Sequence, residues 1–179
     1  PDDVVRMFVR KSVENGIDII RIFDALNDIR NIEVAVDETL KCGAIASGCI
    51  CYTISPIHNL ESYVKLAKEI EALGVQSICV KDMAGIMSPK EAFDLVTALK
   101  KEVKVPIVIH THNTTGLGPM TLLKAVEAGA DVIDTAISCF SGGTSQPPTE
   151  TLVYALREMG YEISVKEDVA KKINDFFKP

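Results

Sequence analysis

Five short runs of β-branched and small apolar residues, each closing on polar or titratable side chains, recur along this chain with a longer amphipathic segment between neighbours. The runs lie in NGIDIIRIFD, AIASGCICYT, VQSICVKD, VPIVIHTH and ADVIDTAIS. Their length and their Ile, Val and Cys content suit strands buried on both faces. Between them, apolar residues recur at helical spacing over Ile29 to Cys42, Leu60 to Leu73, Pro89 to Val103 and Pro119 to Ala128. One further helix precedes the first strand, and two follow the last, near Thr149 to Met159 and Lys166 to Phe177. Strands alternating with helices dictate an α/β fold: a parallel sheet with right-handed crossovers.

The punctuation agrees with that order. Gly16, Gly43, Gly74 and Gly129 each follow a helical segment and precede a strand, where a helix end takes a left-handed residue. Ser88 followed by Pro89 offers a cap with proline in the first turn. The loops NDIRN, SPIHN, MAGIMSP and NTTGLGP all lie on the strand-to-helix side, so polar chemistry collects at the carboxyl ends of the strands. Five β/α units are visible, whereas a closed barrel has eight. The chain opens on PDDVVRMF without an initiator Met. The expectation is a parallel, TIM-like β/α barrel represented by its last five β/α units.

Composition narrows the function classes. Hydrophobic residues make up 47% of the 179, charged residues 25%, and the net charge is −6, which fits one globular domain. Acids and bases are interspersed and no basic stripe forms, which argues against a nucleic-acid partner. No apolar run approaches a membrane-spanning length. Five scattered cysteines, an odd count without paired spacing, point to reduced thiols and a cytoplasmic setting. Cys49 and Cys51 share a strand face and read as small core residues.

At the strand ends stand Arg21 and Asp24, Tyr52 and Thr53, Lys81 and Asp82, His110 and His112, then Asp134 and Ser138. Side chains alternate along a strand, so His110 and His112, two of only three histidines, face the same way. Two imidazoles so spaced converge on one cation, which suits zinc, manganese or cobalt. Lys81 lies on the neighbouring strand end. It could ligate when deprotonated or as a carbamate, and by chemistry alone it equally suits a Schiff-base nucleophile or a substrate clamp. Asp82 alternates to the opposite face and reads as structural. The run CFSGGTSQPPTET, Cys139 to Thr151, offers glycines, hydroxyls and a helix start, readable as a phosphate loop or as a plain polar helix N-terminus. His58 reads as a cap or a solvated residue.

RIFDALND, CYTISPIH, SICVKDMAG, HTHNTTG and DTAIS with GGTSQPPTE follow one another in that order. Together they resemble the carboxyltransferase domain of biotin-dependent pyruvate carboxylases, including the stand-alone B-type subunit. They are equally similar to the oxaloacetate decarboxylase α subunit and the transcarboxylase subunit. The likeness runs from about Asp2 to Tyr161, which places residues 1–161 in the barrel and 162–179 at the start of a following helical segment. TSQPPTET looks more like the separate-subunit and decarboxylase branch.

The resemblance implies a divalent metal held by an aspartate, a carbamylated lysine and the H-x-H pair, with Lys81, His110 and His112 carrying over. It implies a proton-carrying threonine, matched to Thr144 with Ser145 beside it, and a rim motif matched by Arg21 and Asp24. Substrate contacts are therefore expected from Arg21, Asp24 and Ser145. The implied activity is carboxyl transfer between carboxybiotin and pyruvate or oxaloacetate, with biotin on a separate carrier domain. Biotin carboxylase or membrane decarboxylase subunits and a homo-oligomeric full-length form are the implied partners. The aspartate ligand belongs to an RDG-type motif of the first units, which this chain lacks, so the expectation is an incomplete, weakly binding and inactive site. A sodium-pump decarboxylase, a metal-dependent lyase or aldolase barrel acting on acyl-CoA, and a non-enzymatic fragment are the alternatives.

Overall fold

The computed structural model describes residues 1–178. Helix α1 (Asp2–Glu14) leads into β1 (Ile19–Ile22), followed by α2 (Glu33–Lys41), β2 (Ile45–Cys51), α3 (Leu60–Ala72), β3 (Ser77–Asp82), α4 (Pro89–Glu102), β4 (Ile107–Thr111), α5 (Gly118–Glu127) and β5 (Val132–Ile133). Helices α6 (Thr149–Glu158) and α7 (Glu167–Phe177) complete the chain. The strands form one parallel sheet in the order β1-β2-β3-β4-β5. Each strand is laid beside its predecessor with no reversal. Right-handed crossovers then put every helix on the same face, as in a barrel; a doubly wound sheet needs a switch in strand order.

The two sheet faces bury different material. On the helix side Ile50, Ile78, Val80, Ile107 and Ile109, each 0% exposed, pack with Ala67, Ile70, Leu95, Leu99 and Leu122. Full burial of a Leu or Ile contributes roughly 1.5–3 kcal/mol each, so this layer dominates stability. The opposite face carries a small cluster of Cys49, Cys79 and Val108, with Ser77 donating to Ser47 at 2.8 Å below it. Cys49 and Cys51 are buried core residues, and all five thiols are free.

The caps behave as the sequence dictates. Ser88 and Glu91 form a reciprocal capping box on α4, and Asn59 with Ser62 does the same on α3. Gly16, Gly43, Gly74 and Gly129 all have positive φ. One expectation changes: the helix expected over Ile29 to Cys42 is split into a 3-10 turn, Ile29–Asn31, and α2. The Asp28 carboxylate accepts from the Arg30 N–H and caps that turn separately, so the apolar period continues across a break in the helix.

Helix α1 is fastened to α2 by charge. Arg6 donates to Asp37 at 2.6 Å and to Glu38 at 2.8 Å, and Arg10 donates to Glu38 at 2.5 Å. Strand β1 borders the sheet, with Ile19 57% and Phe23 47% exposed. No helix among the described residues is long and apolar enough to cross a membrane.

Candidate metal centre at the strand ends

The parallel register of β3 and β4 sets Lys81 beside His110. The imidazoles of His110 and His112 approach edge to face, their Nε2 atoms 3.3 Å apart. Each Nδ1 is committed elsewhere. His110 Nδ1 faces Asp134 Oδ2 at 2.7 Å, and His112 Nδ1 faces the Thr144 carbonyl at 2.5 Å. Both partners accept, so both Nδ1 atoms carry the proton, and in the neutral imidazoles both Nε2 atoms present lone pairs to one another. Two lone pairs aimed at one point repel unless a cation or a shared proton lies there. Histidine metal ligands are oriented by acceptors on the far nitrogen in this way, so the pair fits a divalent ion.

The support reaches across the sheet to β1. Arg21 donates to Asp134 through its two terminal guanidinium nitrogens, Nη2 at 3.5 Å. Burial pushes the Asp134 carboxyl up, but hydrogen bonds from His110 and Arg21 outweigh it and hold the group below the usual aspartate range. It therefore stays an acceptor for His110. Arg21, expected to bind substrate, is thus engaged with the residue that orients His110. Lys81 Nζ lies over the Phe23 ring, 5.1 Å from its centroid. Among the described residues no group of three or more His, Cys, Asp and Glu side chains is placed to hold a metal, so an ion at the histidine pair would need donors of another kind, such as Lys81, or from elsewhere.

Asp82 is fully buried on the helix side and accepts from the Ile86 and Met87 amides and from the Thr111 hydroxyl, at 3.1, 2.9 and 2.8 Å. It locks the loop after β3 to Thr111 at the end of β4, between the two histidines. Gly85 in that loop has φ +68°, and a Cβ there would stand 2.3 Å from the His112 carbonyl, so close approach of the two loops requires glycine.

Other expected site residues play local parts. Asp24 accepts from the Leu26 and Asp28 amides and from Asn31, which shapes the loop after β1. His58 meets the Ser55 hydroxyl at 2.7 Å, while Asn59 caps α3. In the Gly142–Gln146 loop the Gly142 amide donates to Gln146 and the Ser145 amide to Gly142. These two amides are turned into the loop. Thr144 meets the site through its carbonyl, and the Ser145 carbonyl accepts from the Asn113 amide at 2.8 Å. Two partners were not singled out from sequence: Asp134 as the orienting group, and Gln146, whose Nε2 lies 3.5 Å from His110 Nε2. The signal for Asp134 was its place at the next strand end; Gln146 reads from sequence as a donor of the loop after β5, without a partner.

A family described as HMGL-like matches residues 4–176. Over 99% of its length the chain is 54% identical to the pyruvate carboxylase B subunit of Methanocaldococcus jannaschii, spanning 31% of that protein. It is 47% identical to the methylmalonyl-CoA carboxyltransferase 5S subunit of Propionibacterium freudenreichii subsp. shermanii, spanning 35% of it. The carboxyl transferase domain of Rhizobium etli pyruvate carboxylase, solved with pyruvate, superposes with a TM-score of 0.96 at 38% identity, covering 99% of this chain and 31% of that one. The chain thus spans about a third of the length of these relatives. With its parallel five-stranded sheet, single helical layer and strand-end H-x-H pair, the chain belongs to the HMGL-like family and groups within it with the carboxyltransferase domains of pyruvate carboxylases.

Proposed function

We propose that this chain forms the later part of a carboxyltransferase barrel that moves a carboxyl group between biotin and pyruvate or oxaloacetate at a divalent metal. The observation that carries the reading is the His110–His112 pair, whose Nδ1 atoms are held by Asp134 and the Thr144 carbonyl so that both Nε2 atoms converge. The 54% identity to a pyruvate carboxylase B subunit supports the substrate class. On this reading His110, His112 and Lys81, the last as a carbamate, hold zinc, manganese or cobalt. The bound ion supplies Lewis-acid stabilisation of the negative charge that develops on pyruvate when its methyl group is deprotonated.

The chain's own residues do the rest by placement. Asp134 keeps His110 in one tautomer, Arg21 keeps Asp134 ionised, and Asp82 with Gly85 holds the Lys81 loop against His112. Preceding β/α units are proposed to cover β1 and to supply the remaining metal and substrate ligands, so the chain alone turns over little. Biotin arrives on a carrier domain, with a biotin carboxylase or a membrane decarboxylase subunit as partner. The five unbridged thiols suit a reducing, cytoplasmic setting.

Metal content and biotin-stimulated oxaloacetate decarboxylation in the full-length protein test the reading. His110→Ala and His112→Ala are expected to abolish both, and Lys81→Ala to abolish activity; a variant that kept full metal content would overturn the site. Thr144→Ala keeps the carbonyl and removes the hydroxyl. It is expected to retain metal, and undiminished exchange with biotin would assign proton transfer to a group other than that hydroxyl.

A further inference from the structure

We infer that α7 straps down the loop beside the metal centre, and that Asn174 is a positioning residue for His110 and His112. The inference rests on the cation site proposed above. Asn174 Oδ1 accepts from the Cys139 amide at 2.8 Å, and its Nδ2 donates to Glu150 Oε1 and to the Ala170 carbonyl, the latter at 3.1 Å. The other Glu150 oxygen accepts from the Ser138 amide at 3.0 Å and from its hydroxyl at 2.6 Å. Phe177 meets Phe140 edge to face, ring centroids 4.9 Å apart. Helix α7 therefore holds Cys139 and Phe140 of the 3-10 turn Ser138–Phe140 directly, and Ser138 through Glu150 of α6.

That turn runs directly into the site loop. Gly142 and Gly143 both adopt positive φ, and glycines resist displacement poorly. Thr144 then takes His112 Nδ1, Ser145 takes the Asn113 amide, and Gln146 reaches His110. A loop with two glycines keeps a carbonyl aimed at an imidazole only if its ends are fixed. Downstream, Thr149 and Ala136 are tied together through backbone bonds; upstream, the tie is Glu150 and Asn174. Helix α7 is otherwise held at its start by Arg157 of α6, which donates to Glu167, and toward its end it is lightly packed: Ala170 is its one buried residue among those described, and Phe176 is 80% and Phe177 53% exposed. The segment placed by sequence after the barrel, 162–179, thus contributes to the site's scaffold through its described residues, Asn174 and Phe177.

The test uses the full-length protein and exchanges the two side-chain heads. Glu150→Gln alone sets an amide N–H against a donor, and Asn174→Asp alone sets two carboxylates together. In the double variant the carboxamide and carboxylate trade places, and the bonds to Cys139, Ser138 and each other re-form, while the bond to the Ala170 carbonyl is lost in the double variant as in Asn174→Asp alone. Two readouts serve: Co2+ affinity, and the proton resonance of His112 Nδ1–H in the metal-free protein. Each single variant is expected to weaken Co2+ binding about tenfold, in line with other supports of metal ligands, and to broaden the resonance. The double variant is expected to recover both relative to either single variant, short of the unaltered protein by the lost Ala170 bond. Single variants with unchanged affinity and resonance would overturn the inference, as would failure of the double variant to recover while its circular dichroism stays native. His110→Ala is the control: if Co2+ binding survived it, the metal reading would fall, and the resonance would still judge the strap.

Discussion

His110 carries two constraints at once: its Nδ1 is tied to Asp134, and its Nε2 shares a point in space with His112. Asp134→Asn swaps an acceptor for a group that can present an N–H to the same nitrogen, which unlocks the tautomer. Co2+ affinity is expected to fall about 10- to 100-fold, measured by titration of the visible absorption bands; an unchanged constant would mean that Asp134 does not orient the ring. Asp82 acts on stability instead. Asp82→Ala would strand two buried amides and a hydroxyl, each costing about 1–3 kcal/mol. A loss of at least about 3 kcal/mol is expected from denaturant midpoints, and a loss below about 1 kcal/mol would contradict its structural role. Both histidines, their shared face and the structural reading of Asp82 were legible in the sequence, because strand alternation is a local rule. Asp134 as their partner was not, because that contact joins separate strands and depends on the curvature of the sheet.

At the level of elements, α1 and α2 are joined by carboxylates whose affinity for protons drops on folding. Glu38 is held below its ordinary value of 4.5 by hydrogen bonds from Arg10 and Arg6, and Asp37 below 3.8 by Lys41 and Arg6. Groups with depressed folded values stabilise fully above their ordinary values, and that contribution is lost as pH falls through the folded ones. The denaturant midpoint is therefore expected to fall from about pH 5 to about pH 3, and Arg10→Ala is expected to flatten that part of the profile; an identical slope in the variant would assign the acid loss elsewhere. Strand and helix order was readable from hydrophobic period and glycine caps. The break between Asn31 and Glu33 was not, since a 3-10 turn preserves the apolar pattern. Nor was the grip of α7 on the turn after β5, because one asparagine on a polar face gives no sequence signal.

Across the whole molecule, strand order without reversal places all chemistry at one rim and all helices on one face. Three strand ends, from β3, β4 and β5, supply the site, while β1 stands at the border of the sheet with Ile19 and Phe23 exposed. Two imidazoles and one lysine fall short of a closed tetrahedral set, so the chain alone is expected to bind Co2+ at least about tenfold more weakly than the full-length protein. Equal affinities would show that no ligand comes from outside these residues. On the proposed function, His110 and His112 share one metal ion. X-ray absorption at the cobalt edge of the substituted full-length protein tests it most directly. Outer-shell scattering from two imidazoles is predicted, falling to one in His112→Ala; a spectrum without imidazole scattering, or one unaltered by that substitution, would contradict the account.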